Sequence, residues 1–150
     1  MKITQEADYA LRMMYRLATE ARKGSTPIGA ATLAEGVAVP TRFGLKILHK
    51  LASAGLVTTT RGAGGGYCLA VDADSLTLRR VIEAIDGPIT LNRCVSETHI
   101  CLFNPDKDVC RLHHVFETLN AQVVERLDRL TLAKVSDDTV PLGDLLASLA

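Results

Sequence analysis

Three cysteines in a short stretch are the residues of this chain best suited to metal or redox chemistry. Cys94, Cys101 and Cys110 fall within seventeen consecutive residues of a sequence that holds four cysteines. Residues 1–10 include acidic side chains where a secretory leader needs an apolar run, so we expect a cytoplasmic protein with reduced thiols and no membrane partner. Thiolates select soft or borderline metals, which favours an iron-sulfur cluster or zinc over magnesium or calcium.

Three thiolates leave one position of a four-coordinate metal to another side chain. His113 follows Cys110 by one helical turn and could face the same metal. The remaining candidates are His99, His114 and, from a neighbouring subunit, Glu6 or Asp8. A single weaker ligand would leave one iron atom open to nitric oxide, oxidants or iron scarcity, which suits a sensor. Reduced cysteines without a metal are the simpler alternative, and Cys68, expected to face outward on a strand, is set apart from the site.

Charge is distributed unevenly along the 150 residues, although the formal net charge is zero. Residues 1–71 hold nine Lys and Arg against four Asp and Glu, whereas residues 72–150 hold eight against thirteen. Duplex DNA responds to a local basic patch more than to the charge of the whole chain. The neutral total therefore leaves room for a phosphate-binding face in the first half.

Apolar spacing predicts a helix-turn-helix in this basic half. Residues 5–22 and 40–53 carry apolar side chains at helical intervals, and residues 29–36 form a shorter helix between them. Pro40 stands at a favourable first position of the third helix. The apolar stripe of that helix is predicted to comprise Phe43, Ile47, Leu48 and Leu51.

After the third helix, the sequence pattern changes from the helical period to the period of two that is typical of a β-strand. Residues 56–60 and 67–71 are rich in strand-forming side chains and flank the Gly-rich stretch 61–66, which predicts a two-stranded wing. A nucleotide-binding loop is not favoured for this stretch, because such loops lead from a strand into a helix. A further amphipathic helix is predicted over residues 76–86.

The predicted fold is mainly α with a small β-wing. A winged helix-turn-helix domain covers residues 1–87, a cysteine-bearing loop covers 88–110, and a dimerisation helix with a tail covers 111–150. An irregular connection as long as this loop is commonly functional. The long helix is expected over 111–132, followed by a short helix over 142–149. The apolar stripe of the long helix comprises Leu112, Val115, Phe116, Leu119, Val123, Leu127 and Leu130.

The start of the third helix supplies side chains suited to reading DNA. An α-helix fits the major groove, and the residues near its N-terminus reach base edges. Those residues are Thr41, Arg42, Leu45 and Lys46. Arg42 could bind guanine in a bidentate manner, through two guanidinium N–H groups, whereas Lys50 lies where a phosphate contact is expected. Arg61 and Gly62 at the wing are suited to the minor groove. The simpler alternative is a solvated basic helix face.

Four segments together carry a family resemblance. They are IT and DYAL within residues 3–11, ILHKL at 47–51 with AGLV at 54–57, RGAGGGYCLA at 61–70, and the three-cysteine stretch. With them the chain resembles, over nearly its whole length, the IscR/NsrR/RirA group of bacterial winged-helix transcription regulators. The resemblance implies a homodimer joined through the long helix, an iron-sulfur cluster on Cys94, Cys101 and Cys110, and binding to a partly palindromic operator of double-stranded DNA.

The resemblance offers two fourth ligands. In the IscR-like pattern a histidine three residues after the last cysteine completes the site, which corresponds to His113, the preferred assignment. In the NsrR-like pattern an aspartate of the partner's first helix does so, which corresponds to Asp8. The cysteine spacings are longer than usual for the group, so both 2Fe-2S and 4Fe-4S clusters stay open. Gly44 and Leu45 depart from the group's pattern on the reading helix, so its choice of operator is not carried over.

The expected function is that of a transcription regulator, not an enzyme, whose operator affinity depends on a cluster that senses redox state, nitric oxide or iron status. A thiol-disulfide or zinc-dependent regulator using the same cysteines is the alternative. An electron carrier or an enzyme with Cys110 and a neighbouring histidine as nucleophile and base belongs to another class. It is disfavoured, because no oxyanion motif or cofactor loop accompanies the pair.

Overall fold

The computed structural model describes residues 3–96 and 98–149, and this part of the chain forms seven α-helices and one two-stranded antiparallel sheet. The elements in chain order are α1 Gln5–Arg22, α2 Ala30–Glu35, α3 Thr41–Ser53, β1 Val57–Thr60, β2 Gly66–Leu69, α4 Leu78–Asp86, α5 Arg111–Arg129, α6 Leu132–Val135 and α7 Leu142–Ala147. A single 3-10 turn, Arg93–Val95, lies in the cysteine-bearing stretch. The predicted mainly α fold with a small β-wing is confirmed.

The first three helices surround one apolar core. α1 buries the side chains that its helical spacing places on one face, including Met13, Met14 and Leu17, which are fully buried. α3 packs on α2 unusually closely, since a Cβ added at Gly44 would lie 2.9 Å from the Ala34 Cβ. The turn between them includes Ala38 in the left-handed region, with φ of 56°. The predicted helix-turn-helix is therefore present.

The prediction for the apolar stripe of α3 is wrong at one position. Phe43 is 48% exposed, whereas the buried face of α3 is formed by Gly44, Ile47, Leu48 and Leu51. A glycine occupies the place on this face where a larger apolar residue would keep α2 and α3 apart. Pro40 likewise precedes the helix as its N-cap instead of occupying its first turn.

The wing is fixed to the body of the domain. β1 and β2 pair antiparallel, with Thr58 opposite Cys68, and the connecting turn uses Gly62 at φ 105°. The backbone amide and carbonyl of Tyr67 bond the carbonyl and amide of Ile28, at 2.8 and 3.0 Å. These bonds place a third extended segment beside the wing and hold it next to the start of α2.

The long helix ends earlier than predicted. The sequence predicted one helix over 111–132, but α5 stops at Arg129 and a separate short helix begins at Leu132. The residues between them are extended and pair with the chain before α4. Leu78 N donates to Leu130 O at 2.9 Å and Leu132 N donates to Leu76 O at 2.7 Å. Pairing with these backbone groups replaces the last helical turn.

Candidate functional site

The exposed face of α3 combines basic side chains with apolar ones. Arg42, Phe43, Leu45, Lys46 and His49 all lie at the surface. The Arg42 guanidinium carbon lies 5.6 Å from the centre of the Phe43 ring, close enough for a cation-π contact. Leu45 is 48% exposed and is suited to the methyl group of thymine. The sequence prediction placed Leu45 at the surface but assigned Phe43 to the core, because Phe43 lies at helical spacing from Ile47.

The two lysines of α3 contact an acidic side chain of α1. Lys50 Nζ lies 2.9 Å, and Lys46 Nζ 3.5 Å, from the same oxygen, Glu6 Oε1. Lys50, at hydrogen-bonding distance, lowers the pKa of Glu6, and Lys46 adds to this effect. The Oε1 atom lacks an aligned hydrogen bond within residues 3–96 and 98–149, so these contacts are ion pairs. Glu6, a candidate metal ligand from the sequence, thus contacts α3 of its own chain.

The wing presents Arg61 and Gly62 to solvent at the tip between the two strands. Thr41 is half-buried at the first turn of α3. The two sets of residues predicted from the sequence to contact DNA, those of α3 and those of the wing, therefore lie at or near the protein surface.

The cysteine segment, residues 88–110, keeps its three cysteines on separate local structures. Cys94 lies in the 3-10 turn, where its amide donates to Asn92 Oδ1 at 3.4 Å. Cys101 lies in irregular chain, and Cys110 immediately precedes α5. All three are half-buried free thiols. Within residues 3–96 and 98–149, no three His, Cys, Asp or Glu side chains come together as a metal-binding group.

His113 has the burial expected of a ligand. It is 8% exposed, and its Nδ1 atom has no hydrogen-bond partner in the part of the chain that the structure describes. An unpaired buried polar atom is costly, so a partner for this nitrogen would be stabilising. Three free thiols and one unpaired buried imidazole nitrogen fit an iron-sulfur cluster or zinc in donor type, although the chain does not gather them.

Two of the other candidate ligands, His114 and Asp8, have partners of their own. His114 Nε2 lies 2.8 Å from the Asp108 carbonyl oxygen, and this hydrogen bond raises the pKa of His114. Asp8 pairs with Arg12 at 2.7 Å, with both side chains about half exposed. His99 is half-buried in the irregular chain. Cys68 lies on β2, whose four residues are all half-buried, so the expected outward orientation gives it no greater exposure.

Asn120 of α5 fixes the start of the cysteine segment. Its side-chain Nδ2 donates to Ile89 O at 3.1 Å, and its Oδ1 accepts from Leu91 N at 2.9 Å. The amide thereby pairs with the backbone as a neighbouring strand would. Lys107 makes a second internal tie, from Nζ to Ser96 O at 3.2 Å. Sequence reasoning missed Asn120, since an isolated asparagine on a helix carries no motif.

The outer face of α5 is apolar and exposed. Leu112, Val115 and Leu119 are 61%, 54% and 44% exposed, whereas the predicted stripe residues Phe116, Val123, Leu127 and Leu130 are half-buried. A contiguous apolar face of this kind marks an interaction surface more often than a solvated one. In the described part of the chain, every helix is too short or too polar to cross a membrane.

Comparison with known proteins gives a consistent picture. A model of the Rrf2 family, described as an iron-dependent transcriptional regulator, matches residues 3–138. A protein of Rhodobacter capsulatus named as an rrf2-like HTH-type transcriptional regulator is 33% identical over 98% of this chain and 97% of its own length. The HTH-type transcriptional regulator IscR of Vibrio vulnificus is 28% identical over 92% of this chain and 79% of its own. The structure of CymR, titled the global cysteine regulator of B. subtilis, superposes with a TM-score of 0.71 at 28% identity, covering 91% of this chain and 99% of CymR.

Replacing Asn120 tests its role as the anchor of the cysteine segment. Asn120→Ala leaves Ile89 O and Leu91 N without their partner, so we expect a loss of about 1–2 kcal/mol in the free energy of unfolding. The Leu91 amide should also exchange its hydrogen faster. Urea unfolding and hydrogen exchange measure both effects, with Gln122→Ala, an exposed residue of the same helix, as the matched control. Equal exchange at Leu91 in the two variants would show that Asn120 does not hold the segment.

Proposed function

The chain belongs to the Rrf2 family of transcriptional regulators, and we propose that it is a homodimeric winged-helix regulator whose operator affinity is controlled by an iron-sulfur cluster. Proteins of this family bind DNA and regulate transcription; they are not enzymes. The observation that supports the finer proposal is that two parts of the molecule belong to one folded unit. One part is the basic helix α3. The other is the cysteine segment with its three thiols, followed in α5 by His113 with its buried, unpaired nitrogen.

DNA recognition is assigned to α3 and the wing. The exposed side of α3 carries Arg42, which is suited to guanine, and Leu45, which is suited to thymine. Lys46 and Lys50 extend from the same helix toward the phosphate backbone, and Thr41 lies at its first turn. Arg61 and Gly62 of the wing are placed at the neighbouring minor groove of the DNA, which attracts arginine where it is narrow.

Dimerisation is assigned to the exposed face of α5. A second copy with the same apolar face would cover Leu112, Val115 and Leu119 through a two-fold interface. Such symmetry presents two reading helices to one duplex, and the operator is therefore partly palindromic. The apolar contact is separate from the cysteines, so association does not require the cluster.

The cluster, 2Fe-2S or 4Fe-4S, would be held by Cys94, Cys101, Cys110 and His113, with Asp8 of a partner subunit as the alternative to the histidine. When bound, it supplies a centre that nitric oxide, oxidants or iron scarcity can damage or remove. The described chain holds the three thiols apart, so binding of Cys94, Cys101 and Cys110 to one centre would require the cysteine segment to rearrange. His113 would accept a metal at the nitrogen that now lacks a partner.

A thiol-based or zinc-dependent regulator is the second candidate. Two observations favour its thiol-based form: the described cysteines are half-buried free thiols that do not form a metal-binding group, and the fold matches CymR, the global cysteine regulator of B. subtilis. The metal content of protein purified without air separates the candidates. Iron with sulfide supports the cluster, whereas one zinc per chain, or a reversible disulfide without metal, supports the alternative.

Cysteine substitutions test the ligand set. Serine at position 94, 101 or 110 should abolish binding of iron and acid-labile sulfide after anaerobic reconstitution, because each thiolate is a ligand. Cys68→Ser is the matched control and should load like the wild type. Circular dichroism and sedimentation should show folded dimers throughout. If the wild-type chain takes up neither iron nor sulfide, or Cys68→Ser loses them equally, the assignment is wrong.

Substitutions on the reading surface test DNA recognition. With a duplex selected by the wild-type chain from a random pool, Arg42→Ala and Arg61→Ala should each weaken binding by about 1–3 kcal/mol. Lys50→Ala should chiefly lower the salt slope, by about one, because it contacts phosphate. Lys23→Ala, a basic residue at the far end of α1, is the control. Fluorescence anisotropy at several salt concentrations gives these values, and unchanged binding in the three test variants would place the reading surface elsewhere.

A further inference from the structure

Glu6 sets a negative charge against the basic face of the reading helix. Its Oε1 atom lies 2.9 Å from Lys50 Nζ and 3.5 Å from Lys46 Nζ. The Glu6, Lys50 and Lys46 side chains are 29%, 36% and 64% exposed, although the Glu6 Oε1 atom that the two lysines share is itself buried. DNA phosphates that approach α3 would therefore meet two ammonium groups that already share a carboxylate.

The position of Glu6 is fixed by the first turn of α1. The Thr4 hydroxyl caps this turn by accepting from Ala7 N at 3.2 Å, and it donates to Asp86 Oδ1 at 2.5 Å. Thr4 N also donates to Asp86 Oδ2 at 3.1 Å, which ties the start of α1 to the end of α4. Ala7 and Ala10 are fully buried beside this turn. The backbone of Glu6 is consequently held in place, so its carboxylate stays within reach of both lysines.

The strength of these ion pairs suits competition with DNA. Both lysines reach solvent and their pairs with Glu6 are at most partly buried, and an ion pair of this kind contributes little to stability, so phosphate can displace it. While the pairs exist, however, they cancel charge that would otherwise attract the duplex, and binding through fewer charges releases fewer counterions. The negative charge also stays close to the phosphates after the lysines have turned toward them.

We propose that Glu6 is an affinity-limiting residue, an intramolecular counter-charge that lowers the binding of α3 to DNA of any sequence. The inference rests on the proposed reading role of α3 and adds a residue that opposes it. A regulator benefits from weaker non-specific binding, since a genome offers a large excess of non-operator sites that attract protein through phosphate charge alone.

The test uses the full chain and a short random-sequence duplex, so it depends on neither operator nor cluster. Glu6→Gln should bind this duplex about three- to tenfold more tightly at near-physiological salt, as expected when up to two surface ion pairs stop competing. The salt slope should become steeper by about one. Glu6→Asp, with a shorter side chain, should fall between the wild type and Glu6→Gln. Thermal melts followed by circular dichroism establish that the variants are folded.

Glu35→Gln is the matched control, because Glu35 is an exposed acid of α2 that makes no ion pair with the residues described. It removes the same charge from the same domain and should change affinity less than about twofold. Equal gains in Glu35→Gln and Glu6→Gln would reduce the effect to net charge and overturn the proposal. Unchanged or weaker binding by Glu6→Gln would overturn it as well.

Combining Glu6→Gln with Lys46→Ala and Lys50→Ala separates this inference from the proposed reading surface. The gain from Glu6→Gln should disappear once both lysines are absent. If Lys46→Ala with Lys50→Ala weakens DNA binding but Glu6→Gln has no effect on it, only the role of Glu6 is wrong. If removing both lysines leaves binding to the duplex unchanged, the phosphate-contacting role of α3 is wrong, and the inference falls with it.

Discussion

The attachment of the long helix to the DNA-binding unit is the constraint on which the rest of the structure depends. The extended residues between α5 and α6 pair with the backbone just before α4, and the side chains at this join, Leu76 and Leu132, are fully buried. Asp128 of α5 reinforces it, accepting from Thr77 Oγ1 at 3.1 Å and from Arg79 Nη1 at 2.7 Å. The bond to Asp128 raises the pKa of Arg79. Because the ion pair is partly exposed, the buried backbone pairing contributes most of the stability.

This attachment makes the cysteine segment a bridge with two fixed ends. One end leaves α4 at Gly87, whose φ of 79° turns the chain away, and the other enters α5 at Cys110. Asn120 fixes the bridge a second time near its start. A change in the segment's shape must therefore be absorbed within the bridge or transmitted to α4 and α5. Contacts continue from α4 to the first turn of α1 through Asp86 and Thr4, and Glu6 of that turn contacts Lys50 of α3.

Periodicity was enough to predict the architecture, because the spacing of apolar residues reports directly which face of an element is buried. The helix-turn-helix, the wing and the helix predicted over 76–86, which begins at Leu78, follow from it. Errors arose where a small residue or a distant partner decided the outcome. Gly44 faces the core although it carries no apolar side chain, and Phe43 faces solvent in consequence. α5 ends at Arg129 because its continuation pairs with residues more than fifty positions earlier.

The candidate site divides in the same way. Residue type and spacing indicated the thiols, His113 and the basic side chains of α3, but the partners of these groups lie far away in sequence. The Glu6 contact joins α1 to α3, and Asn120 joins α5 to the chain after α4. Neither has a local pattern from which it could be predicted. Whether the three thiols meet at one centre is likewise a matter of tertiary structure, and the described chain holds them apart.

The most direct measurement is the affinity of one selected operator duplex for the cluster-loaded and the cluster-free dimer, titrated without air at the same salt concentration. If the bridge transmits the state of the cluster, the two affinities should differ by at least about fivefold, the lower end of typical coupling between two sites. Equal affinities, with iron and sulfide verified in the loaded sample, would contradict control of DNA binding by the cluster.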